Sequence, residues 1–152
     1  MYDYGEIIEL IGAAGEYATR QYLQISGGLH THLDNGVDFY WHGLKIDVKA
    51  TKWTPSLESF HLQWPKTKPI KCDLAILCAV DVSLKKVLII GFATHFDIEN
   101  ADINYNRDYP CHEMSVQDLY PIEKIFKIPD LTNWVIPAVS MPKIIRMFLY
   151  AY

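Results

Sequence analysis

Gly36-Val37-Asp38-Phe39-Tyr40-Trp41-His42-Gly43-Leu44-Lys45-Ile46-Asp47-Val48-Lys49-Ala50-Thr51 reads as two short strands joined at His42-Gly43. Strand side chains alternate between faces, so Asp47 and Lys49 point the same way. Val37, Phe39, Ile46, Val48 and Ala50 make up the opposite, apolar face. Asp38 on the first strand and Asp47 on the second bring two carboxylates and an ammonium to one sheet edge. Hard oxygen ligands beside a fixed positive charge suit a divalent cation and the hydrolysis of a phosphodiester. The plainer reading of the same residues is a hairpin whose outer face is charged and solvated.

Upstream, residues 4–25 read as a helix. Ile7, Ile11, Ala14, Ala18 and Tyr22 recur at helical spacing as one apolar stripe, and Ser26-Gly27-Gly28 supplies the stop. Glu16 falls nearly opposite that stripe, beside Glu9 and Arg20. Two readings of Glu16 follow. It forms a solvent-exposed pair with Arg20, worth about 0.2–0.5 kcal/mol, or a second face of the helix turns it into a cleft.

The helical Gly12-Ala13-Ala14-Gly15-Glu16, then Asp38, then Asp47-Val48-Lys49 together resemble the PD-(D/E)XK nucleases, the restriction-endonuclease-like superfamily. Val37 stands where that signature has its Pro. The resemblance is strongest over residues 12–51 and extends more loosely to about residue 125. It implies an α/β fold: a mixed central sheet of four to five strands flanked by helices, the restriction-endonuclease-like core. It also implies a deoxyribonuclease dependent on Mg²⁺ or Mn²⁺. Asp38, Asp47 and the Val48 backbone carbonyl would bind the metal, with Glu16 as a further ligand or holder of metal-bound water. Lys49 would orient or help deprotonate the attacking water and offset charge on phosphorus. The products would carry a 5′-phosphate and a 3′-hydroxyl. A stand-alone nuclease of this kind suits a phage, mobile-element or repair setting.

The chain of 152 residues is expected to form one domain over 1–152 with a sizeable core. Met1-Tyr2-Asp3-Tyr4-Gly5-Glu6 has neither the basic start nor the apolar stretch of a signal peptide. No apolar run approaches the roughly 18 residues of a membrane span. Cys72, Cys78 and Cys111 are odd in number and lack Cys-x-x-Cys spacing, which disfavours a disulfide framework or structural zinc. A cytoplasmic protein that makes no membrane contact is expected.

A formal charge of −4 disfavours a generic nucleic-acid coat. The charge is uneven, however. Residues 45–71 hold six lysines against Asp47 and Glu58, so this segment carries +4 and the remainder −8. Lys45, Lys52, Lys66, Lys68 and Lys71 are therefore candidate phosphate contacts for DNA around the Lys49 site. An ordinary solvated lysine-rich loop is the competing reading.

Pro55, Pro65 and Pro69 predict an irregular connection over 53–71 with a short helix around Leu57–Leu62. Within it, His61 reads as a surface histidine. Asp73–Val80 reads as a buried central strand that pairs with Val87–Phe92 as a hairpin. Residues 97–112 read as loop, and Ser115 as the cap of a short helix through Val116, Leu119 and Tyr120. Residues 144–152 are almost wholly apolar. They predict either core packing or a homodimer interface.

Two other function classes compete with the nuclease. One is a catalytically inactive nuclease-fold binding module, suggested by the acidic remainder of the chain and its apolar end. The other is a zinc hydrolase on His30 and His32, since His30-Thr31-His32-Leu33-Asp34 resembles the start of the metallo-β-lactamase-like metal motif. Asn35 stands where that family has a further His, and Asn35-Gly36 is a turn signal that accounts for Asp34. No Gly-x-Ser-x-Gly elbow or Gly-x-x-x-x-Gly-Lys loop is present, which disfavours serine hydrolases and P-loop enzymes.

Overall fold

The computed structural model describes residues 4–25 and 37–129. Helix α1 spans Tyr4–Tyr22. Strands β1 (Phe39–Trp41) and β2 (Leu44–Lys52) form the expected hairpin. Its two-residue turn has positive φ at both His42 (49°) and Gly43 (79°), as a type I′ turn requires.

The central sheet is mixed and five-stranded, in the order β1-β2-β4-β5-β8. Here β4 is Leu74–Asp81, β5 is Lys86–Thr94 and β8 is Tyr120–Pro121. β2 runs parallel to β4, with Asp47 opposite Ala75 and Lys49 opposite Leu77. β4 is buried along nearly its whole length and pairs antiparallel with β5, as its continuous apolar sequence predicts.

The two faces of the sheet are covered differently. On one face, Leu74, Ile76 and Cys78 pack with Ile46, Leu23 of the α1 end, and Ile125 and Ile128 of a 3-10 segment at Ile122–Lys127 and its cap. On the other, Ala75, Leu77 and Ala79 pack beneath a small antiparallel sheet of order β3-β7-β6. Its strands are β3 (His61–Pro65), β6 (Ile103–Asn104) and β7 (Cys111–Ser115). Helix α2 (His95–Glu99) contributes Ile98 to the same core. A second sheet with one short helix therefore stands where flanking helices are expected.

Several local expectations are corrected. The 53–71 connection is not wholly irregular, because His61-Leu62-Gln63-Trp64 alternates and buries Leu62 and Trp64. Pro65 is tolerated because β3 lies at the edge of the small sheet. Only Leu57–Ser59 forms a helical turn there. The 97–112 stretch contains most of α2, all of β6 and the start of β7 rather than being loop. A capping box starts α2: Thr94 Oγ1 accepts from the Asp97 N–H, and Asp97 Oδ2 accepts from the Thr94 N–H. After Ser115 comes a single 3-10 turn, Val116–Asp118, and Ser115 Oγ donates to the Asp118 carboxylate instead of capping a backbone N–H.

Helix α1 stops before the predicted glycines. Gln24 adopts a left-handed φ of 58°, while the Ile25 N–H reaches the Arg20 carbonyl and the Gln24 N–H reaches that of Gln21. This is a Schellman ending with Gln where Gly is usual. The buried side of α1 is also rotated from the expected stripe. Ile11, Gly15, Thr19 and Leu23 are buried, whereas Ala14, Ala18 and Tyr22 are half-buried. The cause is close approach: a Cβ on Gly15 would lie 2.8 Å from the Ala50 Cβ. The missing side chain at Gly15 lets the helix settle onto β2, and that contact sets which face is buried.

Candidate active site

Backbone geometry places the site at the point where β1 runs out beside β2. The Asp38 N–H donates to the Ile46 carbonyl at 2.8 Å, and the Val48 N–H donates to Asp38 Oδ2 at 2.7 Å. Asp38 immediately precedes β1 and continues the ladder with its side chain. The N–H and C=O of one strand residue project to the same side. The Val48 carbonyl therefore points to the edge where the Asp38 carboxylate lies.

Asp47 and Lys49 share the face that looks toward the small sheet, opposite α1. The Lys49 Nζ lies 2.8 Å from Asp47 Oδ2. This ion pair is short but poorly aligned, since Oδ2 is buried without a hydrogen bond of good geometry. Asp47 is only 4% exposed. Burial pushes its carboxyl up to about 6; the Lys49 ammonium opposes that rise, and the nearby Asp38 carboxylate adds to it.

The second lysine at the site comes from far along the chain. Both the Lys49 Nζ and the Lys68 Nζ lie over the ring of the fully buried Trp64, at 4.5 and 5.2 Å from its centroid. Burial, followed by the Lys49 charge, pushes the Lys68 ammonium below the usual lysine range, while Asp47 and Asp38 pull it back. Cys72 is buried close by. Its thiol is pushed up to about 12 by burial, with the Asp47 charge adding to the effect, so it stays protonated and is no nucleophile.

Glu16 sits on the other side of the sheet. The predicted Glu16–Arg20 pair exists, with Arg20 Nε 3.2 Å from Glu16 Oε1, but it is not solvent-exposed. Arg20 is buried, stacks 4.7 Å from the Phe39 ring centroid and donates from Nη2 to the Asp38 carbonyl at 3.2 Å. Glu16 thus reaches the Asp38 backbone through Arg20. It does not join Asp38 and Asp47, and no three His, Cys, Asp or Glu side chains converge as a metal-ligating group among the described residues.

The remaining lysines divide. Lys45 shares the Asp47 face by alternation, whereas Lys52 lies on the α1 face of β2. Lys66 sits 5.9 Å from the Tyr105 ring centroid, and Lys71 is exposed just before β4. His61 is half-buried, not simply on the surface, with Nδ1 3.7 Å from Glu113 Oε1. His30, His32 and Asp34, and the apolar segment 144–152, lie outside the described residues.

Two carboxylates and a backbone carbonyl on one edge fit a small, hard divalent cation. Mg²⁺ commonly takes one or two carboxylates and keeps several waters, and the buried Asp47 Oδ2 lacks an aligned donor. A cation there would require the Lys49 ammonium to move off that oxygen. Sequence reasoning did not find Arg20 or Trp64 as supports of the site. The Glu16-x-x-x-Arg20 spacing was a signal for the first; nothing local marks the second. Searches against protein-family models, curated proteins and solved structures find no match to this chain. Among the described residues, no helix is long and apolar enough to cross a membrane.

Proposed function

We propose that this chain is a metal-dependent nuclease that hydrolyses DNA phosphodiester bonds with Asp38, Asp47 and Lys49. The observation that carries the reading is the buried Asp47 carboxylate, 2.8 Å from the Lys49 ammonium, with the Asp38 carboxylate on the N–H of the intervening Val48. Asp38, Asp47 and the Val48 carbonyl would hold Mg²⁺ or Mn²⁺, which when bound supplies positive charge at a phosphate oxygen. Lys49 orients the attacking water and offsets charge on five-coordinate phosphorus. The water oxygen bonds to phosphorus as the P–O3′ bond breaks; one proton leaves the water and one is taken up at O3′. The products are a 5′-phosphate and a 3′-hydroxyl. Glu16 acts through Arg20, steadying the Asp38 backbone.

The test is cleavage of duplex, single-stranded and branched DNA, and of RNA, in Mg²⁺ and Mn²⁺ against an EDTA control. Cleavage that disappears in EDTA and in Asp47→Ala supports the reading. No cleavage of any form by wild-type protein overturns it.

One observation favours an inactive binding module. The Lys49 ammonium already occupies the Asp47 oxygen that a metal would need. DNA binding that persists unchanged in EDTA, without cleavage, would support that alternative. The zinc hydrolase and the homodimer through 144–152 rest on residues outside those described. Metal analysis of chelator-free protein tests the zinc reading, and sedimentation with and without 144–152 tests the dimer.

A further inference from the structure

Lys68 is one of five lysines that charge alone nominates for DNA contact, yet its setting differs from the others. It belongs to the β3–β4 connection, and its backbone is tied down twice. Its N–H donates to the Pro65 carbonyl at 3.0 Å, and its carbonyl accepts from Trp64 Nε1 at 3.1 Å. Trp64 is itself fully buried, because β3 pairs with β7 on one side of it and β4 packs beneath it. The ring that fixes the Lys68 carbonyl also lies under its ammonium and under that of Lys49.

Two ammonium groups gathered over one indole repel each other, and the Asp47 and Asp38 carboxylates oppose that repulsion. With both acids and both lysines charged, the four groups sum to zero, so a divalent cation would leave the site with two positive charges. A phosphodiester carries one negative charge, and its five-coordinate transition state carries two. With such a cation bound, the site would be balanced only around an anion whose charge rises during reaction.

We propose that Lys68 is a second catalytic lysine, which contacts the same phosphate as Lys49 and stabilises the charge that develops there. This rests on the nuclease reading for its catalytic part, but contact with phosphate is testable without turnover. The competing account is that Lys68 merely covers the Trp64 ring and completes its burial.

Two measurements separate these possibilities. The first follows the ε-carbons of labelled lysine by NMR, assigned with Lys49→Arg and Lys68→Arg, as short duplex and single-stranded oligonucleotides are added in Ca²⁺. Shifts at both Lys49 and Lys68 are expected; a shift at Lys49 alone, or at neither, overturns the shared contact whether or not the protein cleaves DNA. The second is steady-state cleavage in Mg²⁺. Lys68→Ala should lower kcat about 100-fold, the usual cost of removing one donor to developing charge, with KM little changed and most of the loss recovered in Lys68→Arg. Lys86→Ala, the same loss of charge at the other end of the β4–β5 hairpin, should leave kcat unchanged. A Lys68→Ala kcat within about threefold of an active wild type, well short of the loss of a transition-state contact, overturns the catalytic role. A wild type that shows both NMR shifts but cleaves nothing rejects the nuclease and leaves a two-lysine phosphate clamp.

Discussion

The Asp38 carboxylate accepts the Val48 N–H at 2.7 Å, filling the place of a strand partner just beyond the end of β1. A residue read from sequence as a metal ligand therefore also satisfies the backbone of the residue between the other two members of the motif. Removing it leaves the Val48 N–H without that acceptor.

Asp38→Ala should accordingly destabilise the metal-free protein by about 1–2 kcal/mol, the cost of leaving a part-buried N–H without its acceptor. Asp38→Asn keeps an acceptor oxygen and should lose much less, while both variants lose cleavage. Urea unfolding in EDTA checks this. Equal stabilities for the two variants would mean that the bond contributes nothing.

Asp47 should behave in the opposite sense. Its folded-state pKa of about 6 lies above the ordinary Asp value, so the folded state holds its proton more tightly than the unfolded one. Stability from this group is then present at low pH and is lost as pH rises through about 6. Asp47→Asn in EDTA should stabilise the protein at pH 7 by on the order of 2 kcal/mol and give no gain near pH 4. A wild-type minus variant difference that is flat with pH would show that Asp47 is not held in this way.

Lys49 opposes the rise in the Asp47 pKa. Lys49→Ala should therefore move the Asp47 titration to higher pH, readable by carboxyl-carbon NMR. Turnover should fall by orders of magnitude while Mn²⁺ affinity is kept or increased, because ammonium is no ligand and its charge competes with the cation. Loss of calorimetric Mn²⁺ binding in the variant would assign Lys49 a structural role instead.

Gly15 and Gly12 should respond oppositely to alanine. A Cβ at Gly15 meets Ala50 at 2.8 Å, whereas one at Gly12 meets nothing within 4 Å. Gly12→Ala should add up to about 1 kcal/mol through helix propensity. Gly15→Ala should cost about 1–3 kcal/mol through overpacking between α1 and β2. Thermal melts of the two variants decide it, and a stabilised Gly15→Ala would contradict the close approach.

DNA affinity should depend strongly on salt, with each phosphate contact adding about 0.9 to the slope of log affinity against log salt on B-DNA. Lys45→Ala with Lys66→Ala should flatten that slope. Lys52→Ala, on the opposite face of β2 from Asp47, should leave it alone. A slope sensitive only to Lys52 would put the DNA on the α1 side.

The hairpin, the central strand and the pairing of β4 with β5 were legible because each depends on short-range patterns: a turn at His42-Gly43, alternation, and continuous apolar runs. The small sheet was not, because its strands carry Pro65, His61, His112 and Glu113 and are strands only through pairing with partners up to some fifty residues away, as Leu62 pairs with Met114. The buried face of α1 departs from its apolar stripe because Gly15 lets the helix come close to Ala50 and Thr19 satisfies its hydroxyl on the Gly15 carbonyl, neither of which apolar spacing marks.

The sequence by itself determined that Asp47 and Lys49 share a face and that Asp38 stands beside them, since a period of two and a two-residue turn leave little freedom. Only the tertiary structure decided that Asp47 is buried enough to titrate near 6, that Arg20 turns inward to hold the Asp38 carbonyl, and that Lys68 joins Lys49 over Trp64. Those properties depend on what covers each charge and how closely charges meet, and both are set by chain segments that only folding brings together.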